Sequence, residues 1–251
     1  MRNIIAVLNQ KGGVGKTTST VNLAAYLAKM GRSVLVVDLD PQGNATSGLG
    51  QNKKRASTTY DVLVNGAHLG EATVELDAMD VSLVPANADL AGAEVELVAL
   101  PDREHRLKAA LAHASHDYIL IDCPPSLGIL SLNALTAADW VLIPVQAEYY
   151  ALEGLTQLLS TVQRVREGLN PNLELLGVAV TMYDSRTSLS ESVYKELEKH
   201  FGGKLFKTVI PRNVRLAEAP SHGKTILEHD KWSRGARAYK ALAKEIDNNV
   251  S

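Results

Sequence analysis

Short runs of Val, Ile and Leu alternate along the chain with longer stretches whose apolar residues recur at helical spacing. This is the rhythm of βαβ units that build a mainly parallel sheet. Strands are predicted at 4–8, 34–38, 81–85, 118–122, 141–145, 176–181 and 205–210, and helices at 18–30, 103–114, 131–138, 152–168, 190–201 and 234–248. The segment 51–75 lacks that rhythm; with Lys53-Lys54-Arg55 and scattered glycines it reads as a surface excursion. No internal repeat, low-complexity tract or Pro/Gly-rich linker interrupts the pattern, so the expectation is one α/β domain over 1–251 with no helix-turn-helix ahead of the first strand.

Composition sharpens this picture. A chain of 251 residues with 45% hydrophobic side chains has enough apolar surface for one sizeable core. Aromatics are only 5%, so Ala, Val, Leu and Ile must fill it, as suits helices laid on a buried sheet. Charge is nearly balanced, 26 basic against 28 acidic side chains, yet residues 1–180 carry −6 and residues 181–251 carry +4. Any polyanion site therefore belongs late in the chain. The single cysteine, Cys123, excludes an intrachain disulfide framework and any multi-cysteine metal site within one chain. The first apolar run spans only 4–8, too short for a signal peptide, and no run reaches the length of a membrane span, so a cytoplasmic protein is expected.

The chemistry is concentrated after the first strand, in Gln10-Lys11-Gly12-Gly13-Val14-Gly15-Lys16-Thr17-Thr18. Strand, glycine loop and helix in that order form the context of a phosphate-cradling loop. Gly12, Gly13 and Gly15 allow backbone conformations closed to other residues and bring N–H groups toward phosphate oxygens. Lys16 would neutralise β and γ oxygens, and Thr17 would offer its hydroxyl to Mg²⁺. The usual opening glycine is replaced by Gln10, and an additional lysine, Lys11, stands beside it. Three carboxylates follow. Asp122 ends a predicted strand, where P-loop proteins place a Mg²⁺ carboxylate, although alone it is equally a turn residue before Pro124. Asp38 and Asp40 end another strand and fall on one face of an extended chain.

The loop Lys-Gly-Gly-Val-Gly-Lys-Thr resembles that of the ParA/MinD superfamily of ATPases, and within it the chromosomal ParA (Soj) proteins. The resemblance continues through Val37-Asp38-Leu39-Asp40-Pro41-Gln42-Gly43-Asn44, Ile121-Asp122-Cys123-Pro124-Pro125-Ser126, the block from Pro144 to Gly154, and Ile210-Pro211-Arg212-Asn213-Val214-Arg215. It implies a twisted, mainly parallel sheet flanked by helices, a P-loop NTPase of the deviant Walker A, SIMIBI type, with Mg²⁺-dependent ATP hydrolysis. Residues 11–18 then bind the nucleotide, Lys11, Gly12, Gly13, Val14, Gly15, Lys16, Thr17 and Thr18, and Lys16 also serves catalysis. Lys11 matches the lysine that such proteins insert into the nucleotide site of a partner subunit; without the resemblance it is equally a solvated loop lysine. Asp40 orients the attacking water, while Thr17, Asp38 and Asp122 support the metal, a structural turn role for Asp38 remaining open.

By the same resemblance Pro211, Arg212 and Asn213 hold adenine, since Asn supplies both the donor and the acceptor that its edge requires. Thr181-Met182-Tyr183-Asp184 lacks the lysine of a guanine-reading motif, which leaves GTP as the minor alternative. The late basic residues are interleaved with acids and alone describe a solvated face; Arg186 and Arg215 fall where the family contacts DNA. The function implied is an ATP-dependent homodimer that binds DNA without sequence preference, is nucleoid-associated, and acts in chromosome or plasmid partitioning with a ParB (Spo0J)-type partner. The alternatives are a MinD-like membrane-associated positioning ATPase and a metabolic P-loop ligase or kinase. Tyr239, Leu242, Ala243 and Ile246 form only a narrow stripe near the C-terminus, better suited to packing than to a membrane, so no membrane partner is expected.

Overall fold

All five residues of β1 (Asn3–Val7) are buried, and its side chains part toward two apolar clusters, Ile4 and Ala6 to one, Ile5 and Val7 to the other. A central strand covered by helices on both faces must do this. The computed structural model describes residues 2–54, 56–148 and 153–250. β1 is joined by β2 (Val34–Asp38), β3 (Val74–Leu76), β4 (Val81–Val84), β5 (Tyr118–Asp122), β6 (Trp140–Gln146) and β7 (Glu174–Thr181). Among the described residues these form one seven-stranded sheet of order β3-β4-β2-β5-β1-β6-β7, parallel except for β3 at its edge.

The helices are α1 (Lys16–Lys29), α2 (Asn44–Gly48), α3 (Leu69–Ala72), α4 (Leu90–Glu96), α5 (Arg106–Ala110), α6 (Ile129–Ala137), α7 (Glu153–Gly168), α8 (Ser188–Phe201), α9 (Val214–Glu218), α10 (Ile226–His229) and α11 (Arg234–Val250). α1 and α11 cover one face through Leu23, Leu27, Tyr239, Leu242 and Ile246. Leu107, Leu130, Leu158 and Leu197, from α5 to α8, cover the other. The C-terminal stripe is thus consumed in the core: Tyr239, Leu242, Ala243 and Ile246 are all buried. Among the described residues no helix is long and apolar enough to cross a membrane.

The strands at 34–38 and 118–122 form with the predicted bounds, and four of the others lie within two residues of expectation. The strand predicted at 205–210 does not form. Leu205 and Pro211 make only isolated bridges to Val178 and Tyr183, because the amides of Lys207 and Thr208 donate instead to the Glu245 carboxylate on α11, at 2.8 and 3.1 Å. The segment 51–75 is not a mere surface excursion: Leu63 is fully buried, and the Thr59 hydroxyl donates to the Asp38 carbonyl at 2.8 Å. The helix predicted at 103–114 is shortened to α5 plus one tighter turn at Leu111–His113; Asn133 of α6 accepts the Leu107 amide and donates to the Arg103 carbonyl, drawing that backbone aside. β3 and the short helices α2, α3, α4, α9 and α10 had no periodic signal. Arg55, and Tyr149 to Leu152 of the helix and sequence block predicted there, lie outside the described residues.

Candidate functional site

Because β5 runs between β2 and β1, the register sets Asp122 level with Asp38 on one side and Val7 on the other. The loop after β1, the turn after β2 and the end of β5 therefore meet at the C-terminal edge of the sheet, where open α/β sheets bind ligands.

The glycine loop is held from below. The Asn9 amide donates to the Pro144 carbonyl at 2.8 Å, and its oxygen accepts the Lys11 amide at 3.0 Å. Thr181 donates its hydroxyl to the Val14 carbonyl at 2.8 Å, and Val14 itself is buried, which anchors the middle of the loop. Gly13 and Gly15 have φ of 74° and 89°, conformations that favour glycine. A Cβ on Gly12 or Gly13 would meet nothing within 4 Å, so the loop's outer side is open for a ligand to approach the backbone closely.

Lys16 is buried, with Nζ 3.3 Å from the Lys11 carbonyl. Burial lowers its pKa, and the negative charge of Asp122 opposes that shift. Thr17 and Thr20, one helical turn apart on α1, donate to the two oxygens of Asp122 at 2.7 and 3.1 Å. Asp38 accepts the amide and the hydroxyl of Thr46, each at 2.7 Å, and the Asp40 amide at 3.2 Å, so it organises the following turn. Asp40 accepts the Gln42 amide at 2.9 Å and lines the cleft above the loop. Cys123 is a buried thiol whose pKa burial pushes up.

The cleft measures about 440 Å³ and is walled by the loop residues Gly12, Gly13 and Gly15 to Thr18, by Asp40 and by Pro125. It adjoins a second hollow of about 250 Å³ bounded by Pro211, Arg212 and Asn213; Gly15, Thr18 and Met182 border both. The pair offers an anion-binding end with a cation and a hydroxyl, continuous with a less polar end suited to a flat base. Larger hollows of about 570 and 560 Å³ flank α5 but share no residue with the loop, so size does not identify the site. Lys11 borders neither end of it. Its Nζ lies 2.9 Å from Glu148, with both side chains 44% exposed. Among the described residues no three His, Cys, Asp or Glu side chains converge as metal ligands. A Mg²⁺ that keeps much of its water and takes phosphate oxygens requires few protein ligands, so Thr17 and Asp122 fit it.

Burial pushes the Asp122 and Asp38 carboxyls above the usual range, and for Asp122 the charge of Asp38 adds to the effect. Such groups bind more protons folded than unfolded, so their stabilising contribution is full below the unfolded value near pH 4 and is lost as pH rises through the folded values. Nucleotide-free Asp122→Asn should therefore gain in melting temperature over wild type between pH 5 and pH 8, the gap widening by about 2 °C or more. A constant gap in thermal melts would show that Asp122 is not held protonated.

Of the two arginines expected to meet DNA, Arg186 stands on the loop after β7 and Arg215 on α9, and the segments leading to them are joined where the Tyr183 carbonyl accepts the Arg212 amide at 3.0 Å. Each already has acidic company. Arg186 grips Asp184 through Nε and Nη2 at 2.9 and 2.7 Å while remaining 85% exposed, and this pairing holds the Asp184 carboxyl well below its usual range. Arg215 lies 2.9 Å from Glu218 and 3.8 Å from Asp230. Asp184 is thus occupied where a guanine-reading site would require it free. The Asn213 oxygen caps α9 at the Leu216 amide, 3.2 Å away. Sequence reasoning missed Thr20, Thr46 and Thr181; only the i, i+3 spacing of Thr17 and Thr20 could have revealed one of them.

A family described as an AAA domain matches residues 2–175. The chain is 56% identical over 252 residues to the sporulation initiation inhibitor protein Soj of Bacillus subtilis, covering 99% of this chain and 100% of that protein. It is 57% identical over 242 residues to the chromosome-partitioning ATPase Soj of Thermus thermophilus, covering 96% and 94%. A crystal structure described as cobyrinic acid a,c-diamide synthase from Mycobacterium smegmatis with bound ADP and magnesium superposes with a TM-score of 0.87 at 40% identity, covering 100% of this chain and 96% of that one.

Proposed function

This chain belongs to the Soj/ParA family of chromosome-partitioning ATPases, and from that premise we propose that it is a dimerisation switch driven by Mg²⁺-dependent ATP hydrolysis. The observation that carries it is the placement of Lys11. Lys11, the extra lysine of the loop, borders no part of its own cleft and pairs with Glu148 at the surface, which supports a role at a nucleotide held by a second copy. Lys16 and the glycine amides bind the phosphates, and Pro211, Arg212 and Asn213 hold adenine. Bound Mg²⁺ neutralises phosphate charge; Thr17 would hold it directly and Asp122 through water, with Asp38 behind them. Asp40 orients the attacking water.

The ATP dimer binds DNA through Arg186 and Arg215. Their carboxylate partners are surface contacts worth little, so phosphate oxygens can displace them. Two copies double a weak basic patch, and a partner of the ParB (Spo0J) type sets the timing of hydrolysis and release. Retention on DNA should require ATP and fail with ADP. If the dimer meets about four phosphates, log K should fall against log salt with a slope of roughly −3.6, independent of sequence. Filter retention at stepped salt on unrelated duplexes checks this, and nucleotide-independent retention or a steep sequence preference would contradict it. A ligase or kinase would instead consume ATP in proportion to an added acceptor, and a membrane-docked relative would float with liposomes; burial of the α11 stripe opposes the latter.

A further inference from the structure

The charge asymmetry seen along the chain is concentrated in one short segment. Residues 211–240 carry seven Lys and Arg against three Asp and Glu, the whole +4 excess of residues 181–251. The fold draws that segment together. A Cβ on Gly235 would lie 2.6 Å from the Leu216 side chain, so α11 starts in direct contact with α9. The loop between α10 and α11 consequently runs beside Arg215, whose Nε is 3.8 Å from Asp230.

On this loop stands Trp232, one of two tryptophans in the chain and 78% exposed. Its amide donates to the Asp230 carboxylate at 3.1 Å, an Asx turn that fixes the backbone on which the indole is carried. Lys231 places Nζ 5.3 Å from the centre of the indole, over the ring. Val214, at the start of α9, is also 71% exposed. A bulky indole left in water with a lysine over its ring, in a segment of net positive charge, is matched by a partner that offers both negative charge and flat, weakly polar surface. Nucleic acid offers both, in its phosphates and in its sugars and bases. An interfacial membrane anchor needs a broad helical face of large apolar residues, and one indole with one valine does not supply it.

We propose that Trp232 is a DNA-contact residue of this face. The indole packs its open side against sugar or base while Lys231, Arg215 and Arg234 meet the flanking phosphates. The proposal rests on the DNA-binding reading above and adds an apolar component to an otherwise electrostatic surface. The two components differ in how they respond to salt. Loss of an apolar contact lowers affinity without changing the number of counterions released, whereas loss of a phosphate contact makes the salt slope shallower.

In the full-length ATP-bound protein, Trp232→Ala should weaken DNA retention about fivefold or more at every salt concentration, with the slope and the basal ATPase unchanged. Trp232→Phe should restore part of the affinity, and Lys231→Ala should make the slope shallower by about 0.9. With Trp140→Phe leaving Trp232 as the single indole reporter, its fluorescence should change and become shielded from iodide when DNA is added with ATP. Retention equal to wild type in both Trp232 variants, or equal iodide quenching with and without DNA, would overturn the proposal while leaving DNA binding intact. An indole response to anionic phosphatidylglycerol vesicles and not to DNA would overturn it in favour of a membrane. Wild-type protein that retains no DNA in any nucleotide state would remove the underlying reading itself.

Discussion

Replacing Lys11 with alanine should give a chain that binds ATP within a few-fold of wild type, stays monomeric with ATP, and turns over about a thousand times more slowly. The expected size follows from charges inserted into a phosphoryl-transfer site from outside, which are worth three to five orders of magnitude in rate. The structure allows the side chain to be removed cleanly. Its amide is held by Asn9, and its carbonyl faces Lys16, so both backbone contacts survive the truncation. What is lost within the chain is one half-exposed pair with Glu148, of small consequence for stability. Light scattering with ATP, ADP and no nucleotide reads the assembly, and phosphate release reads the turnover. An ATP dimer of undiminished mass in Lys11→Ala would assign that lysine to its own cleft or to solvent.

Asp40→Ala should fail in the opposite direction. ATP should still join two chains and hold them on DNA, and turnover should fall by about two to four orders of magnitude, the range for removing a group that positions or deprotonates a nucleophile. Dimers should accumulate and DNA retention should outlast that of wild type. The carboxylate lines the cleft and accepts the Gln42 amide, while the turn around it is independently pinned by Asp38 on Thr46, so the loss falls on chemistry more than on folding. Asp40→Asn keeps an acceptor for Gln42 and separates the two contributions: if it recovers full turnover, Asp40 only shapes the turn. The two variants together split assembly from hydrolysis, since one loses the DNA-bound state and the other prolongs it.

The phosphate loop was legible because its requirements are local. Glycines at fixed spacing, a lysine and a threonine opening a helix specify the conformation of a few consecutive residues, and Gly13 and Gly15 adopt the positive φ that the pattern demands. Asp38 and Asp122 were legible as strand-terminal carboxylates because the strands before them are short, apolar and of clear extent. Misreadings arose wherever a distant residue intervened. Glu245 captured the amides of Lys207 and Thr208 and cancelled a strand; Asn133 captured the backbone near Arg103 and shortened a helix; Thr59 and Leu63 turned an apparent excursion into part of the core.

Residue order alone determined the alternation of strands and helices, the glycine loop between β1 and α1 and the acids at the strand ends, since these rest on backbone geometry and side-chain periodicity over a few residues. Only the tertiary structure decided that Asp122 shares its oxygens with Thr17 and Thr20, that Asp38 is spent on Thr46, that Lys11 faces Glu148, and that Trp232 stands exposed with Lys231 over its ring. Burial and charge act through space, and the separation that sets their strength is a property of packing, which no spacing along the chain encodes.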